Sequence, residues 1–279
     1  LKRVITEDEV RKWRNGLTGN VGFVPTMGYL HEGHLSLIRR AKEECGQVAV
    51  SIFVNPLQFG ENEDFDSYPR NEKRDLALAE EAGADLVFIP DGTEMYPKPM
   101  SSFIKVEKGT DVLCGADRPG HFDGVATVVT KLFNIVQPDR AYFGLKDAQQ
   151  AAVIETMVKD YHIPVTIVPC PTVREEDGLA KSSRNVRLTA DEREKAPLIY
   201  KSLTSAAEMS ARGTHPETVK RELHNQLKQT GGRVDYGEIR LWPSLEEADE
   251  LHPGEPLLIA CAVRFSTVRL IDNIIITPE

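Results

Sequence analysis

His31 and His34 follow Pro25-Thr26-Met27-Gly28-Tyr29-Leu30 and precede an apolar set of Leu35, Leu37, Ile38 and Ala41. Upstream, Val21-Gly22-Phe23-Val24 reads as a buried strand, and the apolar spacing downstream reads as one face of a helix. The imidazoles therefore sit at a strand-to-helix turn, on one face once the helix has begun. A helix start offers unbonded backbone N–H groups and positive dipole charge, which suit a phosphate. Two imidazoles beside them could bind or protonate an oxyanion. The pair alone also admits a metal site, although no Cys or third His lies nearby, and it admits plain helix-start residues.

Three further stretches carry polar chemistry. Asn55 and Gln58 follow the apolar run Val48–Val54, where donors and acceptors suit the hydroxyls and carboxylate of a small substrate. Lys146 and Gln150 follow Ala141-Tyr142-Phe143-Gly144 and repeat the strand, glycine, polar-helix-start pattern, with Lys146 placed to neutralise a phosphate. Lys181-Ser182-Ser183-Arg184-Asn185 is a donor-rich loop of the type that can close over a triphosphate. Each, taken singly, also reads as a solvated loop or helix surface.

The elements that must position these residues are legible from period and breakers. Thr6-Glu7-Asp8-Glu9 matches a capping box and predicts a helix over 7–15. Strands are expected over 21–24, 48–54, 85–90, 141–144 and 165–169, alternating with a helix that starts at the His31/His34 turn and is closed by Gly46 and with helices over 71–82 and 145–161. That alternation predicts right-handed crossovers and a parallel sheet. Between 91 and 124 the chain is rich in Pro and Gly, with one strand expected over 103–106; so long an irregular stretch serves function or an interface. Val125–Val136 is apolar nearly all round, hence buried in the core or against a second subunit. An acidic loop is read over Glu61–Asp66. After Pro169 and Pro171 the composition shifts, and helices over 190–211 and 216–229 precede strands over 234–242, 256–264 and 267–276. The fold class is α/β: a Rossmann-like parallel sheet with helices on both faces over 1–172, plus a smaller C-terminal α+β lid domain over 173–279.

Composition narrows the function. The 279 residues are 41% hydrophobic and 28% charged, as in soluble globular proteins. A net charge of −9 with no basic run argues against nucleic acid held through its phosphates. No apolar run reaches the length of a membrane span, the first residues read as no signal peptide, and the four scattered cysteines suit a reducing cytoplasm.

Taken together the motifs resemble the pantothenate synthetase (pantoate–β-alanine ligase) family. Pro25-Thr26-Met27-Gly28 with His31-x-x-His34 is similar to its version of the HIGH signature of nucleotidyltransferases. Ser51–Phe59, Tyr68-Pro69-Arg70, Phe143–Gln150 and Ser182-Ser183-Arg184-Asn185 follow in the family's order, and the similarity spans about Val21 to Asn273.

The resemblance implies adenylation of pantoate by ATP, then attack by β-alanine, releasing AMP and pyrophosphate in two steps. It places His31, His34, Met27 and Gly28 at the phosphates, with His34 as proton donor, and Gly144, Lys146 and Asp147 at ATP. Val173 lines the adenine pocket; Ser182, Ser183 and Arg184 stabilise the leaving pyrophosphate, joined by Lys181. Gln58, Gln150 and Asn55 hold pantoate or β-alanine. Magnesium rides on the phosphates, with Asp75 as a protein contact, and the enzyme is a cytoplasmic homodimer. Two departures stand out. Leu145 replaces a frequent Glu, and Lys181 replaces Met or Leu, giving that loop a look of the KMSKS loops of related enzymes. A nucleotidyltransferase adenylylating a phosphate-bearing acceptor is the alternative, opposed by the neutral Asn55 and Gln58. A tRNA-binding synthetase relative is opposed by the charge, and a non-catalytic ATP module by the completeness of the motif set.

Overall fold

The computed structural model describes residues 1–60 and 65–279; positions 61–64 of the expected acidic loop lie outside the described residues. In chain order the elements are β1 (Lys2–Val4), α1 (Glu7–Asn15), β2 (Val21–Thr26), α2 (Glu32–Cys45), β3 (Gln47–Ile52), α3 (Glu72–Glu81), β4 (Leu86–Phe88), α4 (Gly92–Met95) and α5 (Cys114–Asp117). They continue as α6 (His121–Val136), β5 (Arg140–Gly144), α7 (Ala148–Asp160), β6 (Thr166–Cys170), α8 (Ala190–Lys195), α9 (Leu198–Ala211), α10 (Pro216–Lys228), β7 (Arg233–Leu241), β8 (Leu257–Arg264) and β9 (Arg269–Ile276). Short 3₁₀ turns cover Pro56–Gln58, Leu145–Asp147 and Ser183–Arg187. No helix among the described residues is long and apolar enough to cross a membrane.

The chain divides into two compact units. The first comprises Leu1–Lys108, Arg118–Gly144 and Val153–Pro171; the second comprises Gly109–Asp117, Leu145–Ala152 and Thr172–Glu279.

The first unit is built on a six-stranded parallel sheet in the order β1-β4-β3-β2-β5-β6. Successive residues of β2 face opposite sides of the sheet. Val24 joins Leu35, Ile38 and Ala41 of α2, while the Phe23 ring meets Phe133 of α6 edge-on at 6.3 Å. Helices thus cover both faces, which is why these strands are apolar almost throughout. Thr6 and Glu9 form the expected reciprocal cap of α1, and Gly46 ends α2 at φ 76°. The edge strand β1, short and charged, carries no periodic signal and is an addition to the sequence reading.

In this unit one expectation differs from what forms and one is met. Residues 103–106 make no strand: the N–H of Ile104 donates to Thr127 Oγ1 and that of Val106 to Asp123 Oδ1, so side chains of α6 take the bonds a ladder would use. The apolar α6 is itself buried in the single chain, including Phe122, Val125, Leu132 and Val136.

The second unit holds an antiparallel sheet in the order β7-β8-β9. Along β8, Leu257, Ile259, Cys261 and Val263 face Ile199 and Leu203 of α9 and Leu223 of α10. The alternate residues Leu258 and Ala260 face Leu113, Ala148, Ala152 and Leu245. A strand apolar on both faces needs two covers. That is why 109–117 and 145–152, which a single cut at 172 leaves with the N-terminal part, join this unit. The helix expected over 190–211 is two helices, because Pro197 offers no N–H and restricts the residue before it.

Candidate active site

In the first unit, β2 and β3 are parallel neighbours, and the polar turns follow their carboxyl ends. Open α/β sheets bind ligands at that edge. After β2 the chain turns through Gly28 at φ +86° and Tyr29 at φ 50°. Beyond the backbone strain, a Cβ on Gly28 would lie 2.8 Å from Ile52 Cγ2, so glycine answers both demands.

Asp75, from α3, fixes this turn. Its Oδ2 accepts from Tyr29 N–H at 2.8 Å and its Oδ1 from Leu30 N–H at 2.7 Å. It is 1% exposed, and burial pushes its carboxyl above the usual range although both N–H bonds and Arg74 pull the other way. Each of its oxygens thus accepts one backbone N–H. No cluster of three or more His, Cys, Asp and Glu that could hold a metal occurs among the described residues.

The histidines cap α2 reciprocally. His31 is the N-cap, its Nδ1 accepting from Gly33 N–H at 3.1 Å, and His34 Nδ1 accepts from His31 N–H at 3.3 Å. This is a capping box with imidazoles where Ser or Thr and Glu usually stand. Backbone N–H groups can only donate, so each neutral ring carries its proton on Nε2. The rings lie 4.1 Å apart between centroids. Two imidazole N–H donors on adjacent rings at a helix N-terminus are groups that can take an oxyanion, with the dipole adding to the attraction.

The turn after β3 is a different kind of site. Asn55, 1% exposed, has a full set of partners: Oδ1 accepts from Tyr96 OH at 2.7 Å and Leu57 N–H at 3.3 Å. Its Nδ2 donates to Gln58 Oε1 and Gly124 O, both at 3.2 Å. Asn55 therefore orients Gln58 and has no capacity left over. Gln58 Nε2 lies 3.1 Å from Met27 Sδ, a weak acceptor that a substrate oxygen would outdo. The Gln58 carbonyl is contacted by His121 Nδ1 at 2.7 Å and receives a hydrogen bond from Arg118 at 3.3 Å. Sequence reading missed Tyr96, Arg118 and His121; the signal that could have found them is the long irregular stretch 91–124 in which they fall or end.

Gly124 lets α6 approach this turn. A Cβ there would lie 2.2 Å from Leu57 O and 2.8 Å from Gln58 N. Gly124→Ala is therefore expected to displace the Gln58 turn, costing about 1–3 kcal/mol of stability and, if Gln58 holds the small acid that the family resemblance implies, raising KM for that acid more than KM for ATP. Thermal melting with steady-state kinetics checks it; an unchanged KM ratio would remove Gln58 from substrate binding.

The second unit holds Lys146, Asp147, Gln150, Val173, Lys181, Ser182, Ser183 and Arg184, whereas Met27, Gly28, His31, His34, Asn55, Gln58, Asp75 and Gly144 lie in the first. Gly144 ends β5, in register with Cys170. Lys146 sits in the following 3₁₀ turn with Nζ 3.6 Å from Asp147 Oδ2. It lines one small cavity with Ser182, Asn185, Ala180 and Asp272. Ser182 caps the next turn by accepting from Arg184 N–H at 3.3 Å, and Ser183 is buried. Val173 O accepts from Lys181 N–H at 2.9 Å, closing the hairpin that leads into that loop. The Lys181 ammonium pairs with Glu175 at 2.9 Å, so its charge is directed to the hairpin itself. Gln150 lies half-buried in the first turn of α7, while its neighbour Gln149 is engaged by Cys114 N–H and the carbonyls of Gly109 and Val112.

A parallel sheet wound on both faces, with an imidazole-capped helix start and an amide-lined turn at its carboxyl edge, defines an α/β protein built to handle an anion beside a small polar molecule. Comparison with known proteins narrows this. The family model for pantoate-beta-alanine ligase matches residues 2–275. The pantothenate synthetase of Halalkalibacterium halodurans is 57% identical over 259 residues, covering 92% of this chain and 91% of that protein. That of Bacillus subtilis is 55% identical over 258 residues, covering 92% and 90%. The crystal structure of pantothenate synthetase from Thermus thermophilus superposes with a TM-score of 0.91 at 47% identity, covering 98% of this chain and 99% of that one. A pantoate-beta-alanine ligase from Francisella tularensis, complexed with beta-gamma ATP and beta-alanine, superposes at 0.82 with 35% identity, covering 98% and 97%. The chain belongs to the pantoate–beta-alanine ligase family, and it is a ligase.

Proposed function

We propose that this chain condenses (R)-pantoate with β-alanine at the expense of ATP, through a pantoyl adenylate. A pantoate carboxylate oxygen attacks the α-phosphorus and pyrophosphate leaves. The β-alanine amine then attacks the acyl carbon, and AMP leaves with the bridging oxygen. The observation that supports this reading is the reciprocal imidazole cap of α2, which brings two imidazoles together at one helix start.

Phosphoryl chemistry asks the protein for positioning and charge compensation and for little covalent help. In this reading His31 and His34 hold the phosphates with the backbone of Met27 and Gly28, and His34 donates a proton. Lys146 compensates charge at the phosphates, Asp147 meets the ribose, Val173 lines the adenine, and Ser182, Ser183 and Arg184 stabilise pyrophosphate. Gln58 and Gln150 hold pantoate, with Asn55 orienting Gln58. Magnesium enters as part of the ATP substrate, which suits a cation that keeps its waters and phosphate ligands and a chain whose Asp75 is engaged by backbone.

The test is ATP–pyrophosphate exchange with pantoate present and β-alanine absent. Exchange that requires pantoate supports the adenylate half-reaction. Exchange independent of pantoate, or driven only by a phosphate ester, overturns the substrate assignment. The reading includes a homodimer in the cytoplasm, where the four free cysteines stay reduced. Because α6 is buried within one chain, the dimer rests on the family resemblance. Native mass spectrometry at micromolar concentration is expected to give the dimer mass, and a monomer would exclude it.

A further inference from the structure

We propose that Asn273 is a positioning residue for the phosphate-handling turn of Lys146. Its Nδ2 donates to two successive carbonyls, Leu145 O at 2.8 Å and Lys146 O at 3.0 Å. A planar amide that gives both hydrogens to adjacent peptide groups fixes the orientation of both peptide planes, and so the direction in which the Lys146 side chain leaves the backbone. Asn273 is 7% exposed, so neither donor can be replaced by bulk water without cost.

Its own position is held from the other face of the sheet. Asn273 pairs in register with Ala260 and Asp272 with Cys261, so the two side chains point to opposite faces of β9. Asp272 takes a bidentate bond from Arg174, at 2.6 and 3.0 Å, and Arg174 also donates to the Asn273 carbonyl at 3.3 Å. The Arg174 guanidinium lies 3.8 Å from the Tyr200 ring centroid and donates to Gly178 O at 3.1 Å. Arg174 belongs to the hairpin whose far arm runs into Ser182–Arg184. One strand thus ties together both turns assigned to the triphosphate. Leu145 takes part through its carbonyl, a role that does not depend on its side chain.

This inference rests on the ATP role assigned to Lys146, and a double-mutant cycle separates the two. Asn273→Leu keeps the branched shape with a larger side chain and Asn273→Ala reduces it; both remove the two donors. Each is expected to cut pantoate-dependent pyrophosphate exchange about tenfold or more at saturating substrates, a cost typical of a misplaced catalytic group. In a Lys146→Ala background the same changes are expected to matter less than about twofold, because residues acting through one group are not additive. Melting temperature should fall by the same amount in both backgrounds. Equal losses of exchange in both backgrounds, or normal exchange in either single variant, would make Asn273 merely structural and overturn the proposal. Full exchange by Lys146→Ala alone would instead remove the role of Lys146, and with it anything for Asn273 to position.

Discussion

Lys146→Ala is expected to lower pantoate-dependent ATP–pyrophosphate exchange by roughly a hundred- to a thousandfold, the usual cost of removing one preorganised electrostatic stabiliser. The side chain is 19% exposed and sits in a turn held by Asn273, with its nearest carboxylate, Asp147, at 3.6 Å. That pair is long and half open to water, so it contributes little to folding. Melting should therefore change little while chemistry collapses. Lys146→Arg is expected to recover only part of the loss, because a planar fork does not reproduce a point charge in the same small cavity. Near-normal exchange by Lys146→Ala would contradict the assignment.

His34→Ala combines two losses that can be measured apart. The imidazole Nδ1 accepts the His31 N–H, so its removal uncaps α2 at a cost of about 1 kcal/mol. The Nε2–H is the donor assigned to the phosphate, and losing a proton donor of this kind slows the reaction by about a hundredfold or more. His34→Glu restores an acceptor to the capping position, as in an ordinary capping box, but places a negative charge where a phosphate should bind. It should recover the melting temperature and remain as inactive as the alanine variant. If His34→Glu recovers exchange along with stability, the histidine serves the helix and not the reaction.

Much of the framework around this site is legible in the sequence because local rules agree with the tertiary outcome. The run Val48–Val54 is apolar because β3 is covered on both faces, and the capping box at Thr6 and Glu9 forms as written. The histidine turn was placed correctly after β2, though a box built from two imidazoles is not part of the usual cap vocabulary. What could not be read depends on contacts far apart in sequence. Nothing near Asn55 announces that Tyr96 and Gly124 will take up its amide. Nothing near Lys146 announces that Asn273, on the last strand, will hold its turn. The two covers of the C-terminal sheet include segments from before residue 153, which no boundary drawn from composition can reveal. Pro197 was a local signal, and the break between α8 and α9 follows from it directly.

The most direct measurement of the central claim follows the carboxylate oxygens of pantoate. Pantoate labelled with oxygen-18 in its carboxylate is incubated with the chain, ATP, magnesium and β-alanine, and the products are weighed by mass spectrometry. Adenylation predicts one labelled oxygen in AMP and one retained in the amide of pantothenate, because the bridging oxygen leaves with the nucleotide. Label in inorganic phosphate together with ADP, or AMP without label, would contradict a pantoyl adenylate and with it the account of the site.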